Sequence, residues 1–185
     1  MRKIGLLILL ATLSFSAFGQ RFYLAGERMI GLSNLGAGWV PISDGFFQYN
    51  VNSSVRIGYF PLTSLVVGTE LNFQFIFATD NIAGTTERAN TRGLDLFARW
   101  YLAPERSSFF VQTNLGGFHV YREDGSRSAN PLTYFDLIGG YALRPSEKFS
   151  ADLSIGIRRY FSRFIPLGAR LELNFLPKIG LNYHF

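Results

Sequence analysis

Ten ionisable side chains sit at alternate positions of strand-like stretches: Arg56, Glu70, Asp95, Arg99, Asp136, Asp152, Arg158, Arg170, Glu172 and Lys178. Five are acids and five are bases. A balanced set of this kind has two uses. It can neutralise itself in a buried network, or it can line a narrow path for ions. The histidines are His119 and His184. His119 is followed by Glu123, Ser126 and Ser128, which are the residue types of a hydroxyl nucleophile, a base and an orienting acid. The residues around them match no active-site motif, and a histidine beside loop acids is commonplace. His184 stands next to the C-terminus with no partner suggested by the pattern. Cysteine is absent, which excludes disulfide scaffolds and Cys-based zinc or redox sites. Gly36-Ala-Gly38, Gly116-Gly117 and Gly139-Gly140 lack the strand–loop–helix setting of a nucleotide site. Glycine inside a strand more simply permits close packing and curvature. No catalytic residue, cofactor or metal site is expected.

The elements that carry these charges have a period of two, the signature of β-strands. The clearest stretch is Phe46–Ala78. Phe47, Tyr49, Val51, Val55, Ile57 and Tyr59 share one face, and Gln48, Asn50, Asn52, Ser54, Arg56 and Gly58 the other. After the Pro61-containing turn, Leu65, Val67, Thr69, Leu71, Phe73, Phe75 and Phe77 alternate with Val66, Gly68, Glu70, Asn72, Gln74 and Ile76. This predicts a hairpin with Arg56 opposite Glu70, so that its two charges meet on the polar face. Further strands are expected at Tyr23–Leu35, Arg92–Ala103, Phe109–Tyr121, Leu132–Leu143, Phe149–Ile157 and Ala169–Phe185. Pro177 should mark a bulge or bend in the last of these. Gly36–Gly45, Thr79–Thr91, Arg122–Pro131 and Arg159–Gly168 read as loops. The count is eight strands. Connections alternate between short turns near Pro61, Pro104 and Pro145 and longer loops. Tyr59, Phe60, Trp100, Tyr101, Tyr141, Tyr183 and Phe185 collect at the short-turn side, as an interfacial aromatic girdle would.

The N-terminus begins Met1-Arg-Lys, continues with the apolar Ile4–Leu13 and then small and polar residues to Gln20. That is the layout of a secretory signal, with cleavage expected after Gly19 or after Ala17. The expected organisation is a signal peptide over 1–19 and one β-domain over 20–185. Loss of Arg2 and Lys3 lowers the formal charge of +5 by two, to +3, with the remaining basic residues scattered. Nucleic-acid binding gains no support from that. No later run approaches the ~18 apolar residues of a transmembrane helix. Yet the chain is 48% hydrophobic and 16% aromatic, with only 17% charge. Strands of about a dozen residues exceed the ~9–11 that cross a bilayer at a tilt, and only a closed barrel satisfies strand backbones there. An all-β, eight-stranded, antiparallel up-and-down transmembrane β-barrel of a Gram-negative outer membrane follows as the expectation. A soluble lipocalin-like barrel is the alternative, but its polar face should be rich in Lys and Glu. Here that face is mostly Gly, Ser, Asn and Gln.

Arg56-Ile-Gly-Tyr-Phe60 with Leu65-Val-Val-Gly68, Phe97-Ala-Arg-Trp-Tyr101, Ile138-Gly-Gly-Tyr141 and the ending Ile179-Gly-Leu-Asn-Tyr-His-Phe185 carry a family likeness. In these stretches the chain resembles the small bacterial outer-membrane β-barrel family, the OmpA/OmpX/OmpW-like group of eight-stranded barrels. The resemblance implies a C-terminal signal for the barrel-assembly machinery at Ile179, Leu181, Tyr183 and Phe185. Some barrels of this size are lipid A hydrolases or acyltransferases, which keeps His119 in view. The expected partners are outer-membrane lipid, the assembly machinery during biogenesis and an unidentified extracellular ligand, for a monomer with no nucleic acid. An eight-stranded interior is just wide enough for side chains to fill. A plugged interior with a structural or surface-interaction role is therefore preferred to a narrow solute or ion pore.

Overall fold

The computed structural model describes residues 22–43, 46–80, 85–103, 105–128, 130–161 and 171–185. The expected signal peptide lies outside them. Eight strands follow one another: β1 Arg28–Ser43, β2 Phe46–Leu62, β3 Leu65–Asp80, β4 Thr85–Tyr101, β5 Ser107–Arg122, β6 Leu132–Leu143, β7 Phe149–Tyr160 and β8 Leu171–His184. Each pairs antiparallel with its neighbours in sequence, and β1 pairs with β8 to close the barrel. The seam is tied at its end by reciprocal backbone hydrogen bonds between Arg28 and Phe185, of 2.8 and 3.0 Å. The β1–β8 pairing runs from Met29 opposite His184 to Leu35 opposite Ile179, which removes the free sheet edge over that part of the seam.

The amphipathicity is inverted relative to a barrel in water. Ile57, Leu96 and Leu115 point outward and are 57–59% exposed, whereas Arg56, Asp95 and Asn114 point inward and are 1–2% exposed. The alternation comes from the strand pleat, and ring closure decides which parity is enclosed. An apolar outer wall around a polar interior is the arrangement of a membrane-spanning barrel. Ile179, Leu181, Tyr183 and Phe185 lie on the outward face of β8.

Several expectations are corrected. The first strand is Arg28–Ser43, not Tyr23–Leu35, and Gly36–Ser43 pairs with β2 instead of looping. Its irregular pattern has a cause: a register shift between Ser33 and Gly36, with Asn34 in the left-handed region at φ 52°. Such a bulge re-aims side chains and breaks the alternation that sequence patterns rely on. Thr85–Thr91, expected in a loop, continues β4 against Gln74–Asp80, because ladder hydrogen bonds hold polar residues in a strand as well as apolar ones. Phe60 and Tyr101 are fully buried inside the barrel and take no part in a girdle, while Tyr59, Trp100, Tyr141, Tyr183 and Phe185 face outward. Pro177 lies on β8 opposite the register shift between Ser154 and Gly156.

Candidate functional site

The inward faces build a polar network centred on Asp152, with separate clusters around Glu70 and around Asp136. Arg56 stands opposite Glu70 in the β2–β3 register, as the hairpin pattern predicts. The two charges do not pair with each other. Arg56 donates through Nη2 to Asp152 at 2.6 Å, and Arg99 of β4 donates to the same carboxylate oxygen from another side. A long guanidinium reaches toward the middle of the barrel, where strands distant in sequence meet. A hairpin register cannot reveal that contact. Asp152 has room because Gly180 lies opposite it, and a methyl group on Gly180 would overlap the carboxylate. Asp95 lies over Gly116 in the same way.

From Asp152 the network runs in two directions. Arg99 Nε donates to Gln112 at 2.6 Å, Gln112 to Asn114 at 2.7 Å, and Asn114 to Asp95 at 3.4 Å. Asp95 also accepts from the Tyr134 hydroxyl at 2.6 Å. The other way, Arg56 Nε donates to Asn182 at 2.8 Å, Asn182 to Ser150 at 3.1 Å, and Ser150 lies 2.8 Å from His184 Nε2. Glu70 accepts from Ser33 at 2.8 Å and from Asn34, which the bulge turns inward. Asp136 and Arg158 form a two-bond pair at 2.7 and 2.8 Å, with Arg158 3.7 Å from the Tyr134 ring centre. Charges taken out of water are tolerated only when paired and hydrogen-bonded. Asp152 and Asp136 meet that condition through arginines, whereas Glu70 and Asp95 are hydrogen-bonded by neutral donors alone. The cavity left among Arg56, Glu70, Arg99, Gln112 and Asp152 measures about 10 Å³, the room of about one water.

Of the ten charges singled out in the sequence, Arg56, Arg99 and Asp152 come together, as do Asp136 and Arg158. Glu70 and Asp95 are held by neutral donors. Lys178 is half-buried opposite Ser154. The side chains of Arg170 and Glu172 lie outside those described. Gln112, Asn114, Asn182 and Tyr134 were missed as network members, although their inward parity was legible.

The short-turn end is closed by a segment that strand periodicity does not detect. Phe22 and Tyr23, ahead of β1, are buried in the barrel mouth. Tyr23 stacks on Tyr101 with ring centres 3.8 Å apart and lies 6.1 Å from Phe60. Its carbonyl accepts from Ser64 N–H at 2.8 Å, and Gly26 N–H donates to Phe60 O at 2.8 Å. Burial pushes the Tyr23 phenol above its ordinary range, and Tyr101 beside it acts in the same direction. Its hydroxyl has no hydrogen-bond partner among the described residues. Arg144 clasps both oxygens of Glu27, one at 2.9 Å, over the rings of Phe22 and Tyr23.

Two histidine arrangements bear on catalysis. At the long-loop end, His119 Nδ1 lies 3.2 Å from the Ser128 carbonyl and 3.5 Å from its hydroxyl. A nitrogen that donates to a carbonyl is not free to take a proton from serine. The Ser128 hydroxyl also accepts from Val120 N–H. Ser126 N–H donates to Asp124, whose carboxyl is held below its ordinary range by that residue. Inside the mouth, Ser150, His184 and Glu27 stand in the order hydroxyl, imidazole, carboxylate, with His184 Nδ1 3.7 Å from Glu27. That distance is too long for a hydrogen bond, and Arg144 already holds the carboxylate. Ser150 and His184 are 3% and 1% exposed. The mouth cavity of about 420 Å³ is lined by Glu27, Arg144, Lys148 and His184 but not by Ser150. In this geometry His119 ties the loop after β5 back to its strand, and His184 ties β8 to β7 through Ser150. Among the described residues no cluster is placed to hold a metal ion.

No family model matches this chain, and no curated protein matches it. Among solved structures it is similar to the N-terminal β-barrel domain of OprF from Pseudomonas aeruginosa. That match has 14% identity and a TM-score of 0.48, and it covers 87% of this chain and 98% of that one. It is also similar to the outer membrane protein OprG from the same organism, at 10% identity and a TM-score of 0.48, over 89% of this chain and 98% of that one.

Proposed function

We propose that this chain is an integral outer-membrane barrel with a sealed interior, acting as a structural and surface-interaction protein and not as a pore or an enzyme. The observation that carries this reading is the occupied centre: two arginines share Asp152, and the cavity beside them is about 10 Å³. A hydrated ion does not fit such a space, and opening a path would separate buried charges from their partners. The aromatic cork at Tyr23 supports the same reading from the other end. The expected alternation of short turns and long loops holds only in the second half of the chain, where the β5–β6 and β7–β8 connections are the long ones, because β1 and β4 take up residues expected in loops. Those two connections, the stacked mouth and the apolar outer wall support an orientation with the mouth in the periplasm and the loops outside. Interaction with the surroundings then falls to the outer wall and the long-loop end.

The test is unheated against boiled electrophoresis of protein refolded in detergent, with planar-bilayer recording on the same sample. Heat-modifiable migration with no steady conductance is the expected result. Discrete stable conductance would overturn the sealed interior. Solubility in plain buffer without a heat shift would return the soluble carrier.

A further inference from the structure

The outer wall is apolar along β4 until it becomes cationic. From the short-turn end its outward residues run Trp100, Ala98, Leu96, Leu94, Arg92, Asn90 and Arg88. Trp100, Leu96 and Leu94 are more than half exposed, and Arg92 and Arg88 are exposed as well. Strands rise ~3.3 Å per residue and tilt ~40°, so Arg92 stands about 20 Å above Trp100. The apolar band of such barrels is ~25 Å tall. Arg92 therefore lies at its upper boundary, and Arg88 is about 10 Å higher.

Two further elements complete the patch. His119 of β5 is directly opposite Arg92, whose guanidinium lies 5.0 Å from the Tyr121 ring centre. The following loop turns back so that Arg127 bridges to Tyr121. Directly opposed residues of an antiparallel pair share a face, which puts Arg127 on the outward side with Arg92. None of the three arginines has a carboxylate ion-pair partner among the described residues. Glu87, next to Arg88 in sequence, belongs to the inward parity of β4, although it is exposed. Glu123 and Asp124 sit at the loop tip, with Asp124 engaged by Ser126.

We propose that Arg88, Arg92 and Arg127 form a binding site for the phosphate groups of anionic lipid headgroups in the leaflet at the long-loop end. This rests on the membrane-embedded reading above. The guanidinium fork matches phosphate oxygens and forms charge-assisted hydrogen bonds with them. The outward Phe73 and Phe77 of β3 stand opposite Arg92 and Arg88, so the arginines flank the top of the apolar wall, at the boundary where headgroups begin. His119, held by Ser128, stands opposite Arg92 on the same face.

The test has two readouts. Heat-modifiable insertion into phosphatidylcholine vesicles reports the membrane reading by itself. Binding of dioleoyl phosphatidic acid, titrated by native mass spectrometry, reports the site. Each basic residue near an anionic surface contributes roughly a fivefold factor, so R88Q/R92Q/R127Q should bind about a hundredfold more weakly than wild type. Arg127→Gln alone, outside the strands, should lose about fivefold. The double variant R28Q/K148Q, at the opposite end, should bind like wild type. Wild-type insertion with equal binding by the triple and wild-type proteins would overturn the site and leave the membrane reading standing. Equal competition by inorganic phosphate at the same concentration would overturn the lipid assignment in favour of a free anion. Failure of the wild type to insert would remove both.

Discussion

Asp152 is where the sealed interior is most exposed to test. It is 6% exposed, and it is the common acceptor of Arg56 and Arg99, each 2% exposed. Two nitrogens bonded to one oxygen lie within about 5 Å of each other, and at an effective dielectric near 20 two unit charges at that distance repel by roughly 3 kcal/mol. Asp152→Ala removes the carboxylate that offsets this repulsion and leaves both guanidiniums buried without their anion. Breaking a buried ion pair in this way costs ~3–5 kcal/mol, or about two to four decades in the folded-to-unfolded ratio. Asp152→Asn keeps an acceptor and should fall between wild type and the alanine variant. Leu153→Ala, the next residue, points outward at 54% exposure and should leave the charge network intact. The assay is guanidinium unfolding in zwitterionic vesicles, followed by tryptophan fluorescence and by loss of the fast-migrating unheated band. If Asp152→Ala unfolds within ~1 kcal/mol of wild type, the interior is wet enough to solvate two arginines. The sealed-barrel reasoning then fails.

Other consequences are independent of that one. Tyr23→Ala empties the stack on Tyr101 and should lower stability by ~3–5 kcal/mol, as truncation of a buried aromatic does. Tyr23→Phe removes only a hydroxyl with no partner and should match or exceed wild type by ~1 kcal/mol in the same unfolding assay. Gly180→Ala should push Asp152 off its arginines, visible as a lowered unfolding midpoint that Gly139→Ala, on the open outward face, does not reproduce. Val55→Arg should cost ~2–4 kcal/mol at mid-depth, while Tyr59→Arg near the short-turn boundary should cost ~0–1. Equal penalties at the two depths would contradict the placement of the apolar band.

The sequence by itself determined the strands and their faces. Alternation needs only the pleat, so Ile57 and Arg56 on opposite faces are readable at every second position, as is the Arg56–Glu70 register across a short turn, while which face is enclosed is set by closure. β6, Leu132–Leu143, has the bounds its pattern predicts, because it carries no bulge and is flanked by Pro131 and Arg144-Pro145. The pattern failed at β1, where the Asn34 bulge shifts parity, and at the upper part of β4, where pairing with β3 holds residues too polar to read as strand. Asp44-Gly45 is a dipeptide that tight hairpins favour, the one local sign in the sequence that β1 continues to Ser43.

Only the tertiary structure decided which charges meet. Arg56 lies 96 residues from Asp152 in sequence and 2.6 Å from it in the barrel. Their contact depends on ring closure, which brings β2, β4 and β7 to a common axis, and no local spacing encodes it. The same holds for Tyr23, which has no partner until Phe60, Tyr101 and His184 converge at the mouth. Periodicity fixes what a strand side chain faces within its own sheet. Its partner across the barrel exists only once the sheet has closed.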